Sequence, residues 1–276
     1  MNNAHTPAPP ALRLTGVRIG FRGVRALDAV TFDVPAGGVS AVIGPNGAGK
    51  TTLFNCISGI YRHEGTIALH GEQLDVLRAF RRAKAGIART FQTPALIDDA
   101  DVLSNVMLGT HVRTGAGLLS HVLRTPGSGR EEKLATEWAR DVIDRVGLSA
   151  HALTPAGALA HGDRRRIEIA RALVSNPTLL MLDEPAAGLS EDESAALMDL
   201  IVAHGTRSGM TCVLVEHDVA LVMKYAQTIA VLDAGRLLAH GTAEEIRRNP
   251  DVIAAYLGTD VETGDVETGH LEAGAA

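Results

Sequence analysis

The segment Gly44-Pro45-Asn46-Gly47-Ala48-Gly49-Lys50-Thr51 constrains this chain more than any other. It fits the pattern G-x-x-x-x-G-K-[ST], whose glycines let successive backbone N–H groups turn into one concavity around a phosphate. A short apolar strand, Val39–Ile43, precedes it, and a helix over Lys50–Ser58 follows, which sets a positive helix end on the anion. Lys50 is placed to reach the β- and γ-phosphates and the Thr51 hydroxyl to hold Mg²⁺, with Thr52 counted at the same phosphate site. A chance glycine turn is the alternative. With only four lysines in 276 residues, such a match is expected about once in 200 sequences. The pattern implies nucleotide binding.

A second cluster ends an apolar run, Leu179-Leu180-Met181-Leu182-Asp183-Glu184. Ionised side chains at the tip of a buried strand are costly unless a cation or solvent meets them. Asp183 is therefore expected to bind Mg²⁺, through water, and Glu184 to act as general base on the attacking water. His217 ends the strand Cys212–Glu216 in the same way and is followed by Asp218, so a helix-capping pair is the plain alternative there. The remaining histidines offer no spaced metal set, and Cys56 and Cys212 make neither a disulfide framework nor a zinc site.

Strand patterns over Leu12–Ile19 and Leu27–Val34 precede a Gly37-Gly38 turn, and another strand runs over Thr66–Leu69. Strand signals then vanish between about Ala95 and Leu159, where Val102, Val106 and Leu108 suggest one helix and Glu131–Val146 a second. Past Arg164–Ser175, which Asn176-Pro177 stops, strands alternate with helices, as a mostly parallel sheet requires. The expected division is a disordered 1–10, a nucleotide-binding core over 11–94 and 160–258, a helical subdomain over 95–159 and a tail over 259–276. That tail repeats Asp-Val-Glu-Thr-Gly and carries five acids with no lysine or arginine, so most of the net charge of −6 belongs to it. Overall acidity argues weakly against nucleic acid as a partner; the motifs argue more strongly. No apolar run approaches the length of a bilayer span and the N-terminus lacks a signal-peptide core, so a membrane role is expected only through a partner.

Taken together these segments resemble the ATPase subunits of ABC transporters, over about Leu12–Gly258. The resemblance implies a P-loop NTPase (ABC ATPase) α/β fold with a mostly parallel sheet core, an N-terminal antiparallel β subdomain and an inserted α-helical subdomain. It implies that Gln92, in Arg89-Thr90-Phe91-Gln92, contacts the metal or water and senses a membrane partner, and that His217 touches the γ-phosphate. Gly188-Leu189-Ser190 matches the loop that crosses to a second subunit, and Phe21 sits where the family places an aromatic against adenine. Without the resemblance Phe21 would be an ordinary core ring on a strand.

The signature segment departs from the family's Leu-Ser-Gly-Gly-Gln. Here it reads Leu159-Ala160-His161-Gly162-Asp163, with Ala160, Gly162 and Asp163 expected at the nucleotide of a partner copy. Ala160 lacks the hydroxyl. Asp163 is expected to cap the helix or bond a ribose hydroxyl, yet to repel a triphosphate. Arg164, Arg165 and Arg166 read as a solvated face rather than as compensation for it.

Gly86–Gln92, Glu184–Leu189, Tyr256-Leu257-Gly258 and the segment Gly109–Arg130 narrow the resemblance to the ATPases of branched-chain amino acid importers. Urea and amide importers and the lipopolysaccharide-export ATPase share part of the pattern. The resemblance implies ATP and Mg²⁺, and a second ATPase subunit in a homodimer or paralogous heterodimer. It further implies two integral-membrane permease subunits, indirectly a solute-binding protein, no nucleic acid, and a place on the cytoplasmic face of the plasma membrane. A non-transport ABC-type ATPase would need a second cassette or long heptads, and a GTPase switch an Asn-Lys dipeptide; neither is present.

Overall fold

The structure, a computed structural model, describes residues 9–90, 96–112 and 128–255. The N-terminal eight residues, Gln92, the stretch 113–127 and the acidic tail fall outside the described residues.

β1 (Leu12–Phe21) and β2 (Val24–Val34) form an antiparallel hairpin, and β4 (Glu64–Leu69) pairs on the other side of β1, followed by the two-residue β5 (Glu72–Gln73). The second sheet has six strands in the order β10-β9-β3-β8-β7-β6. Its members are β3 (Gly38–Ile43), β6 (Ile87–Arg89), β7 (Leu179–Asp183), β8 (Thr211–Val215), β9 (Thr228–Asp233) and β10 (Arg236–Gly241). All its pairings are parallel except β9 with β10. The α/β fold with a mostly parallel core and an antiparallel N-terminal sheet is therefore as the sequence implies.

Unbroken apolar runs in β7, β8 and β9 follow from burial on both faces. Alternation sorts them. Leu180, Leu182, Cys212, Leu214, Ile229 and Val231 enter one core, while Leu179, Met181, Val213, Val215, Ala230 and Leu232 enter the other. Helix α1 (Lys50–Ile57) lies in the second core, where Leu53, Phe54, Cys56 and Ile57 meet Leu12, Leu14, Leu27 and Val30 of the antiparallel sheet. Burial pushes the Cys56 and Cys212 thiols up to about 12.

Helix α2 (Ala79–Lys84) leads into β6, and α3 (Val102–Met107) and α4 (Ser128–Arg145) precede α5 (His161–Leu173). Among the described residues between 96 and 160 there is no strand, only an isolated bridge from Asp101 to Pro155. Val102, Val106, Ala139, Val142, Ile143 and Val146 share the first core with Ile167, Ile169 and Leu173 of α5. Helices α6 (Glu191–Ser208), α7 (Val219–Tyr225) and α8 (Ala243–Arg248) complete the order.

Two expectations need correction. Helix α5 starts at His161, not Arg164, because Ala160 takes the extended N-cap position without a side-chain bond, a start that a search for polar caps passes over. The three arginines are not a solvated face. Arg165 is 3% exposed and bonds Glu168, Arg164 pairs with Asp98 at 2.7 Å, and Arg166 meets Asp163 at 3.5 Å.

Candidate nucleotide site

The loop between β3 and α1 is shaped by close approach. Gly44 has φ +152°, and a Cβ there would lie 2.1 Å from Leu232 O; at Gly49, φ +102°, it would lie 2.7 Å from Ala26 O. No larger residue fits either position. Gly49 supplies no side-chain cap to α1, so the first N–H groups of the helix are left for an anion. Lys50 folds back over the loop, its Nζ donating to Gly44 O at 2.6 Å and Pro45 O at 3.1 Å. Burial holds its pKa below the ordinary value, against the pull of Glu184 and Asp183. A cavity of about 250 Å³ is lined by Asn46, Gly47, Ala48, Gly49, Lys50, Thr51 and Thr52, with Ala26, Glu184 and His217 on its walls.

Parallel strands deliver the acids. Asp183 ends β7, and the next residue, Glu184, turns out of the sheet at φ +50° with its N–H bonded to Val215 O. His217 follows β8, and its Nε2 donates to Glu184 Oε1 at 2.9 Å. Asp218 caps α7 through Leu221 N, so the plain reading of the His-Asp pair holds for the aspartate. Asp183 is 2% exposed; its Oδ2 accepts from Arg89 Nη2 at 2.9 Å, and its buried Oδ1 has no hydrogen-bond partner. A buried, bare carboxylate oxygen beside the loop fits a hard cation, so the residues present suit Mg²⁺.

Glu216 Oε1 accepts from Ala186 N at 2.8 Å and Oε2 from His217 N at 3.2 Å, tying the two strand ends together. Burial raises the Glu216 pKa above the usual carboxylate value, with Glu184 and Asp218 adding to the rise and the two N–H bonds opposing it.

The cavity thus gathers the phosphate loop, Glu184 and His217 and leaves other expected residues apart. Pro45 touches Lys50 from the loop, and Gly44 lies against Leu232. Phe21 is 44% exposed at the tip of the first hairpin, edge-on to Tyr61 at 5.1 Å, so it is not a core ring. Ala160, Gly162 and Asp163 line a separate cleft of about 70 Å³ with Arg166, Leu189, Glu193 and Leu197. Asp163 is the third residue of α5 and does not cap it, so of its two expected roles the capping one does not hold. Ser190 caps α6 in a reciprocal box with Glu193. No role for Arg89, Glu216 or Arg165 is read from the sequence; Glu216, directly after the buried run of β8, carried a local signal, and the two arginines carried none.

This sheet order, loop and carboxylate cluster define an ATP-binding cassette. The sequence pattern described as ABC transporter matches residues 27–187, and that of the branched-chain amino acid ATP-binding cassette transporter matches 236–262. The chain belongs to the ABC transporter family and is an ATPase of it. It is 43% identical over 250 residues to the high-affinity branched-chain amino acid transport ATP-binding protein LivG of Salmonella typhimurium, covering 90% of this chain and 98% of that one. With the Pseudomonas aeruginosa protein BraF, of the same description, it shares 41% over the same shares of each chain. Among solved structures, a nucleotide-free ATP-binding cassette from an ABC transporter superposes with a TM-score of 0.77 at 29% identity, over 89% of this chain and 98% of that one. The ADP conformation of another transporter cassette gives 0.78 at 28%, over 90% and 98%.

Proposed function

We propose that this chain powers a membrane importer for branched-chain amino acids by ATP-driven closure of a dimer of such subunits. The observation that carries the reading is the contact of His217 Nε2 with Glu184 Oε1 on the wall of the phosphate-loop cavity. There a carboxylate and an imidazole face the place where a γ-phosphate would lie. Glu184 accepts the proton of the attacking water while His217 turns its Nε2–H from Glu184 to the γ-phosphate oxygen. Lys50 leaves its two carbonyls for the phosphates, and the N–H groups at the start of α1 hold the β-phosphate. Mg²⁺, when bound, neutralises charge on the β- and γ-phosphates. Thr51 and Asp183 would hold it, with Gln92 as a further contact.

Phe21 offers a ring to adenine. Ala160, Gly162 and Asp163 meet the nucleotide of the second copy, which is either identical or a paralogue. Two permease subunits in the plasma membrane receive the motion on the cytoplasmic side, and a solute-binding protein delivers the amino acid to them. Among the described residues no helix is long and apolar enough to cross a membrane, which accords with spanning by a partner. The names of the LivG and BraF relatives support the substrate class.

The test is Glu184→Gln. ATP binding should persist while kcat falls by about 10²–10⁴-fold, and a nucleotide-bound dimer should accumulate on size exclusion. An unimpaired steady-state rate would remove Glu184 from the role of base. Co-purification of a permease pair from native membranes, with branched-chain amino acid uptake lost on deletion, tests the transport half.

A further inference from the structure

Two side chains at the start of α5 grip the turn that carries Glu184. His161 Nε2 donates to Ala187 O at 3.2 Å, and Arg165 Nη2 donates to Glu184 O at 3.3 Å. The turn closes on itself through Ala187 N and Glu184 O at 3.2 Å. From the far side, Glu216 Oε1 takes Ala186 N. Residues 184–187 are therefore held between the signature helix and the end of β8.

Each grip has its own support. His161 can approach because Gly188 has no side chain; a Cβ there would stand 3.2 Å from its Nε2. Arg165 is locked in place by Glu168, Nη1 to Oε2 at 2.8 Å, and both side chains are almost wholly buried. Glu184 holds φ +50°, a left-handed conformation that a non-glycine residue keeps only where its surroundings over-determine it. The hydrogen bonds on either side of it supply that determination. Position 161 also departs from the glycine of the family pattern, and a glycine has no side chain with which to reach Ala187 O.

We propose that His161 and Arg165 are positioning residues for hydrolysis. Through the 184–187 turn they set the Glu184 carboxylate against His217, so the placement of the signature segment decides when the base faces its water. The proposal rests on Glu184 being the base.

The experiment uses the full chain and measures steady-state hydrolysis beside equilibrium binding of a fluorescent ATP analogue. His161→Ala, His161→Gln and Arg165→Lys are made alone and in the Glu184→Gln background. His161→Ala should lower kcat about fivefold, the factor one neutral hydrogen bond supports, with KM and analogue affinity unchanged. His161→Gln should restore kcat, because its amide N–H can donate to the same carbonyl. Arg165→Lys keeps a cation for Glu168 while losing the second nitrogen, and should lower kcat without raising KM. Behind Glu184→Gln, none of the three substitutions should slow the residual rate further.

A normal kcat in both His161→Ala and Arg165→Lys, with Glu184→Gln inactive, would overturn the proposal alone. So would an equal further loss behind Glu184→Gln, which marks a general structural effect. Normal hydrolysis by Glu184→Gln itself would overturn both the base and the positioning built on it.

Discussion

Arg89 Nη2 and Asp183 Oδ2 meet at 2.9 Å across 94 residues of sequence, joining the ends of the adjacent parallel strands β6 and β7 in a buried ion pair. The same guanidinium bonds Asn55 Oδ1 at 2.6 Å and Ser58 Oγ at 3.1 Å, and lies over the Phe54 ring. One arginine thus links Asp183, the carboxylate proposed to hold Mg²⁺, to the far end of the phosphate-loop helix.

Removing one member of a buried pair leaves the other uncompensated, at a cost of about 3–5 kcal/mol. Arg89→Met should lose that much stability to urea, and Mg²⁺ with ATP should recover more in the variant than in the parent, since a cation on Asp183 replaces the lost charge. Equal recovery in both chains would show that Asp183 does not depend on Arg89 for its counter-charge.

Phe21 is half-exposed and touches Tyr61 edge-on, so its loss should spare the core. Phe21→Ala should weaken nucleotide binding by about 2–12-fold, the range of one stacking contact, and leave the unfolding midpoint in place. Titration with a fluorescent ATP analogue measures the first and thermal unfolding the second. A stability loss with unchanged affinity would contradict the adenine role.

Gly44 and Gly47 both have positive φ, yet only Gly44 is crowded; nothing lies within 4 Å of a Cβ on Gly47. Gly44→Ala must push the loop off Leu232 and should cost about 1–3 kcal/mol more than Gly47→Ala. Guanidinium unfolding of the two variants compares them directly.

His204 on α6 is buried with no partner for Nε2, and burial holds its pKa below 6.5, with Arg145 and Arg207 pressing the same way and Asp141 opposing them. The unfolded chain therefore binds this proton over a pH window where the folded one does not. Stability contributed by this site should rise with pH through that window and level off above 6.5. His204→Leu should remove the slope, so its gain over the parent is larger at pH 5 than at pH 8. Urea midpoints at the two values decide it; a gain that does not change with pH would point to packing alone.

Local signals were the legible ones. The phosphate loop, the acids ending β7 and His217 after β8 each declare themselves within a few residues, because strand, turn and helix start are short-range features. The Arg89–Asp183 and Arg165–Glu184 contacts bridge separate elements, and nothing in the neighbourhood of either arginine distinguishes it from a surface cation. Strand β6 has three residues, too few for alternation to register, and β10 is only partly buried, with a register shift that blurs its pattern. The reading of Arg164–Arg166 failed for a related reason: composition describes a run, whereas helical geometry sends its members in different directions, Arg165 inward and Arg164 across to Asp98.

The division of apolar side chains between two cores has a mechanical consequence. The phosphate-loop helix is wedged between two sheets and serves as an anvil. Helices α3, α4 and α5 share a single hydrophobic seam, so a push on the outer helices arrives at His161 with little lost to internal give. A continuous packed path thereby runs from the strand-free segment through α5 to the turn that holds Glu184, apart from the core that seats α1.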